Sequence, residues 1–332
     1  MDGLIGRWPL PDAGMSHSGR DLAGGENAGA TSSLGKVETV WQQTLASSME
    51  CAGVGLHSGA PVRMRLHPAD ANAGIRFVRT DLGGVVVPAR YDAVANTRLC
   101  TVLGRGKAQV GTVEHLLAAL AGAGIDNARI EIDGPEVPIL DGSAEPFLFL
   151  IECAGIRRLS APRRAVRVLR KVRVERGDAF AELLPVASLG LTLEFEIAFP
   201  AAAIGRQSLA LELTPASFRA ELAEARTFTL AEDVAQLRAA GLALGGDLSN
   251  AVVVQDGVVL NPGGLRMERE FVRHKLLDAV GDLSLAGAPL QGVYRSSRGG
   301  HALNNALLHA LFAERANWQS VTLAGQVALS AA

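Results

Sequence analysis

Cysteine is scarce: the 332 residues hold three, Cys51, Cys100 and Cys153, widely spaced and without a CxxC pair. That excludes a disulfide framework and a cysteine-rich metal site, and the three are expected to be buried free thiols in a reducing compartment. Charge of one sign is also missing. The 32 basic residues stand against 34 acidic ones, a net charge of -2. Non-specific nucleic-acid binding needs clustered cations to neutralise phosphates, so this balance counts against a nucleic-acid partner. No apolar run reaches the ~18 residues that cross a bilayer. A secretory pattern is absent too, because Asp2 and Arg7 flank a short apolar piece that Pro9 and Pro11 follow. The expectation is a cytoplasmic protein, without stable membrane insertion and monomeric. HExxH does not occur, so a thermolysin-type peptidase site is not supported.

What is present is enough apolar sequence for a sizeable core, 48% against 20% charged. Residues Met1 to Lys36 are rich in Gly, Ser, Ala and Asn with little periodicity, and are expected to be a disordered leader. Beyond them, Pro61 to His67 alternates as a strand, with Val62, Met64 and Leu66 on one face. Val113, Leu116, Leu117 and Leu120 recur at helical spacing, with Thr112 as the expected N-cap. Ala128–Ile132 reads as a strand and Phe147–Ala154 as a helix. Ala161–Arg164 reads as a linker, and strands follow over Val166–Val174, Glu182–Leu184 and Leu191–Phe199, then helices over Ser217–Ala225 and Glu268–Leu285. Strands grouped before helices, twice, predict an α+β fold of two layers, 37–161 and 162–332, each a sheet with helices on one face. An apolar βαβ unit over about 227–254 interrupts the second, with Asp256-Gly257 as a hairpin signal behind it.

The chemistry concentrates in Glu270–Asp282. With His274 set at zero on a helical wheel, Asp278 falls at about 40° and Asp282 at about 80°, opposite Val272, Leu276, Ala279, Val280 and Leu283. An imidazole and carboxylates one turn apart read either as a solvated ionic stripe or as part of a metal site. Glu114-His115, in the first turn of the earlier helix, favours the metal. Catalytic zinc takes three protein ligands and keeps one position open, a count that His115, His274 and Asp278 complete, with Glu114 beside them as a general base. His301, behind Gly299-Gly300, is either a helix cap or a functional ring. His67 and His309 read as structural.

Gly53–Gly59, Thr112–Leu116, Gly124–Asn127, Pro138–Ala144, Ala225–Phe228, Phe271–Lys275 and Gly300–Asn305, in this order from about Thr44 to near Thr322, closely resemble the UDP-3-O-acyl-N-acetylglucosamine deacetylases of lipid A synthesis. The resemblance implies two α/β sandwich domains with the active site between them. It implies Zn2+ on His115, His274 and Asp278, Glu114 as base, His301 as catalytic histidine with Asp282 as its partner, and Thr227 on the oxyanion. For a UDP-linked acylated amino sugar it implies Lys275 on the diphosphate and Phe199 on the uracil, with Phe228, His57 and Leu99 also in contact. The βαβ unit corresponds to an acyl-chain passage. Ser58 stands where the family frequently has Thr. The alternatives are a metal hydrolase of another amide, or a nucleotide-sugar binding protein, which would have no need of Glu114.

Overall fold

The computed structural model describes residues 37–187 and 189–326, so the Met1–Lys36 leader lies outside the described residues. Alternation builds the strands. In Pro61–Pro68, Val62, Met64 and Leu66 are buried while Arg63 and Arg65 are exposed; in Leu191–Ala198 every second side chain is buried, as one-faced sheets require. The first half holds a five-stranded sheet in the order Met49–Val54, Pro61–Pro68, Ala128–Ile132, Ile75–Arg79, Val85–Pro88. The second holds a seven-stranded sheet. Its centre is Leu290–Ser297, which pairs antiparallel with Ala179–Leu184 and parallel with both Leu191–Ala198 and Arg164–Val168.

Among the described residues six α-helices accompany these sheets: α1 (Glu114–Gly122), α2 (Glu145–Ala154), α3 (Pro215–Glu221), α4 (Ala231–Ala239), α5 (Glu270–Ser284) and α6 (His301–Ala313). The α1–α2 pair accompanies the first sheet, and α5 and α6 pack on the second. The α+β architecture is therefore two sheet-and-helix halves meeting where α1 crosses α5. Gly281 permits the crossing, since a Cβ there would overlap the Glu114 carbonyl. Phe271, Val272, Leu276 and Leu277 of α5 are fully buried, each worth about 1.5–3 kcal/mol of apolar burial. Among the described residues no helix is long and apolar enough to cross a membrane.

Several local expectations are corrected. Ala161–Arg164 is not a linker: strand Ile156–Pro162 pairs with Trp41–Leu45, and the next strand starts at Arg164. Val37–Thr39 also pairs with Ala324–Gln326, so the two ends of the described chain meet. The strand expected over Val166–Val174 is two, Arg164–Val168 and Val172–Arg176, at different places in the sheet. Thr112 does not cap α1. Its φ of 51° is left-handed, its hydroxyl donates to Glu136 Oε1 at 2.8 Å, and Val113 is the capping position. All three cysteines are free, but only Cys100 is buried; Cys51 is half-buried and Cys153 exposed.

Candidate active site

The polar stripe of α5 is not solvated. His274, Asp278 and Asp282 are each no more than 3% exposed, because the stripe faces the α1 crossing while the apolar side faces the core. There His274 Nε2 lies 3.4 Å and His115 Nε2 3.6 Å from Asp278 Oδ1, and the three donor atoms fall within 4.8 Å of one another. Zinc bonds of about 2.0–2.1 Å in a tetrahedron put ligand atoms about 3.4 Å apart, so the two measured edges fit. Asp278 Oδ1 and His115 Nδ1 are buried without a hydrogen-bond partner, and an orphaned buried carboxylate oxygen between two rings is what a cation would satisfy. The His274 tautomer fits as well. Its Nδ1–H donates to the Ala225 carbonyl at 3.0 Å, which leaves the Nε2 lone pair free. Burial pulls the ring down to about 4, so it is neutral at neutral pH. Burial opposes charge on Asp278, but His274 and the Lys275 ammonium, 2.6 Å from Oδ2, outweigh it and hold the carboxyl well below its usual range.

Beside the three donors sits a second group. His301 Nδ1 donates to Asp282 Oδ2 at 2.8 Å, and its Nε2 lies 3.8 Å from Glu114 Oε1. α6 begins at His301 with Gly300 as its cap, so the ring serves Asp282 rather than the helix end. Asn304 donates to the same Asp282 oxygen at 2.8 Å and accepts from the Tyr294 hydroxyl at 2.6 Å. Burial works against a charged His301, yet Asp282 and Glu114 prevail and hold it up at about 9. Burial raises Glu114 above the usual glutamate range, with His301 and His115 offsetting part of the rise.

Both groups open on one cleft of about 660 Å³. Glu114, His115, His274, Asp278 and His301 line it, together with Thr227, Lys275, Phe199, Phe228, His57 and Leu99 of the sequence-derived set; Asp282 stands behind His301. Lys275 reaches the cleft but is held by Asp278, a pairing that the helical wheel did not suggest. Phe228 packs edge-on against Phe199 and Phe271, with ring centroids 5.5 and 5.0 Å apart. Leu99 is presented to the cleft by a left-handed φ of 69°. Strand Phe228–Leu230 pairs in parallel with Val252–Gln255 across α4, and Leu230, Leu237 and Ala240 are the apolar part of the wall this βαβ unit gives the cleft, which also carries Asp233 and Gln236. Arg98 adds a cation at the rim.

Three supports were not found by reading motifs. Gly281 sets the helix crossing. Glu136 accepts from His57 N, Ser58 N, Ser58 Oγ and Thr112 Oγ1 at 2.8–2.9 Å, tying the His57 turn to the start of α1. Arg226 and Glu270 form a buried pair at 2.8 Å, and Glu270 also accepts from the N–H groups of Arg226 and Arg266. That pair pins Ala225–Thr227 to the first turn of α5. Removing one partner of a buried pair costs about 3–5 kcal/mol, so Glu270→Ala is expected to lower stability by that order, read as a fall in Tm by calorimetry. Burial raises the Glu270 pKa, but the Arg226 bonds outweigh this and depress it. Its contribution is therefore present above the ordinary glutamate pKa and lost as pH falls through the depressed one. An unchanged Tm would show that the pair holds nothing.

Residues 42–313 match the family described as LpxC, UDP-3-O-acyl N-acetylglycosamine deacetylase. Proteins named UDP-3-O-acyl-N-acetylglucosamine deacetylase from Shewanella sp. (strain W3-18-1) and Shewanella oneidensis are 46% and 45% identical over 285 residues. Each alignment spans 85% of this chain and 93% of the relative. A protein of the same name from Shewanella baltica (strain OS155) is 45% identical over the same coverage. With a family match over most of its length and relatives at this identity, the chain belongs to the UDP-3-O-acyl N-acetylglycosamine deacetylase family.

Proposed function

We propose that this protein hydrolyses the N-acetyl group of UDP-3-O-acyl-N-acetylglucosamine, releasing acetate in the committed step of lipid A biosynthesis, and that it works in the cytoplasm as a monomer with one Zn2+. The observation carrying the reading is the conjunction, in one cleft, of the His115–His274–Asp278 donors, the Glu114–His301–Asp282 group and the apolar βαβ wall. His115, His274 and Asp278 would hold the zinc. A zinc ion there supplies Lewis-acid chemistry, lowering the pKa of a water and polarising a carbonyl.

The chain's own residues then account for the protons. Glu114, ionised and facing the cleft, takes a proton from the attacking water. The Thr227 hydroxyl donates to the oxygen that becomes negative as the amide carbon turns tetrahedral. His301, kept charged by Asp282, stabilises that negative charge and gives its Nε2 proton to the departing nitrogen as the C–N bond breaks. Acetate and the amino sugar leave, with the UDP and the acyl chain still attached to the sugar. Lys275 meets the diphosphate, Phe199 stacks on the uracil, and His57, Leu99 and Phe228 complete the wall.

The apolar wall gives the test. Burying about four methylenes at about 0.8 kcal/mol each contributes about 3 kcal/mol, or about 10²-fold. Acetate release from UDP-N-acetylglucosamine lacking the 3-O-acyl chain is therefore expected to have a kcat/KM lower by about 10²-fold or more, since remote binding supports the chemical step. Equal values for the two substrates would refute the passage.

A further inference from the structure

Thr101, buried and 1% exposed, touches both sides of the acid–base group. Its backbone N–H donates to Glu114 Oε2 at 3.0 Å, and its hydroxyl donates to Asp282 Oδ1 at 2.6 Å. Its carbonyl accepts from Val113, the residue before Glu114, at 3.4 Å. Among the described residues no other one makes hydrogen bonds to both carboxylates. Glu114 opens α1 and Asp282 lies near the end of α5, so one residue from a third segment ties two helices together at the reacting groups.

The choice of oxygens matters. Thr101 occupies Oε2 of Glu114, and the other oxygen, Oε1, is the one 3.8 Å from His301 Nε2. It occupies Oδ1 of Asp282, and Oδ2 is the one that accepts from His301 Nδ1 and Asn304. A carboxylate anchored through one oxygen must break that hydrogen bond to rotate about its terminal bond, so its second oxygen has a preferred direction. We propose that Thr101 is a positioning residue of the deacetylation reaction. By anchoring Oε2 of Glu114 and Oδ1 of Asp282, it aims Glu114 Oε1 at the reacting atoms and sets the plane of Asp282 that orients His301. The proposal rests on the assignment of Glu114 and His301 to proton transfer. Its bland counterpart is a buried threonine whose hydroxyl merely finds an acceptor and whose methyl fills space.

Thr101→Val separates the two, because it keeps the shape and the backbone bond to Glu114 and deletes only the hydroxyl bond to Asp282. In the zinc-loaded enzyme kcat is expected to fall by about 10–10²-fold, the scale of one buried charge-assisted hydrogen bond, with KM and bound zinc unchanged. Thr101→Ser, which restores the hydroxyl and loses the methyl, is expected to return kcat to near the starting value. In an Asp282→Ala background, where the hydroxyl has no carboxylate to bond, Thr101→Val should cost much less than in the native enzyme, as coupled partners do. This cycle also decides the matter if Thr101→Val alone is poorly stable, since a stability defect would persist in the double variant. Equal losses in the Val and Ser variants, a change in KM alone, fully additive losses in the cycle, or unaltered kinetics would each overturn the positioning role. If these fail while Glu114→Ala and His301→Ala remain severely impaired, only the Thr101 assignment falls; if those two variants are active, the acid–base reading itself is wrong.

Discussion

Glu114→Ala is expected to lose about 10²–10⁴-fold in kcat, the range of a positioned general base, while still binding one zinc. The two outcomes separate because Glu114 neighbours His115 in sequence yet is not one of the three donors, its carboxylate being held by the Thr101 N–H and set 3.8 Å from His301 Nε2. His301→Ala should likewise keep its zinc. The pH profile then tells the partners apart. Burial raises Glu114 above ordinary glutamate values, and a base must be ionised, so activity is lost as pH falls through that raised pKa. Asp282 and Glu114 overcome the effect of burial and hold His301 at about 9, and an acid must be protonated, so activity is lost as pH rises through about 9. A plot of kcat/KM against pH is therefore expected to be bell-shaped, and the residual activity of His301→Ala should lack the basic limb. If His301→Ala kept the whole bell at a near-normal rate, the ring would have no chemical role, and Glu114 and the metal donors would be left as the only defensible groups.

Periodicity made the spacing of α5 legible, because His274, Asp278 and Asp282 must share a stripe on any helix. Periodicity could not say which way the stripe faces. That depends on α1 crossing at Gly281, a contact between residues more than 150 positions apart. His301 and Asp282 are 19 residues apart and Arg226 and Glu270 are 44 apart, so nothing local announces either pair; the family motifs pointed to the first and nothing to the second. Thr112 misled because threonine before a helix usually caps it, whereas here a buried Glu136 competes for the hydroxyl. Arg and Pro around residue 162 resembled a linker because edge strands tolerate the same residues. Cys153 shows the same limit: cysteines are mostly buried, and this one lies on the outer side of α2.

Asp278→Ala is expected to lose both zinc and activity, the activity by about 10³-fold or more, since the Lewis acid is worth several kcal/mol. Asp278 is the only anionic donor of the three and the one whose Oδ1 lies between the two imidazoles. Its removal also frees the Lys275 ammonium, now held at 2.6 Å from Oδ2, to repel a cation at the same place. Two imidazoles beside an unpaired ammonium are a poor site for a divalent ion. The most direct measurement is anomalous diffraction at the zinc absorption edge from crystals of the zinc-loaded protein and of Asp278→Ala. One peak is expected within bonding distance of His115 Nε2, His274 Nε2 and Asp278 in the first and none at that place in the second; a peak away from these residues, or full occupancy retained in Asp278→Ala, would show that these three do not hold the metal.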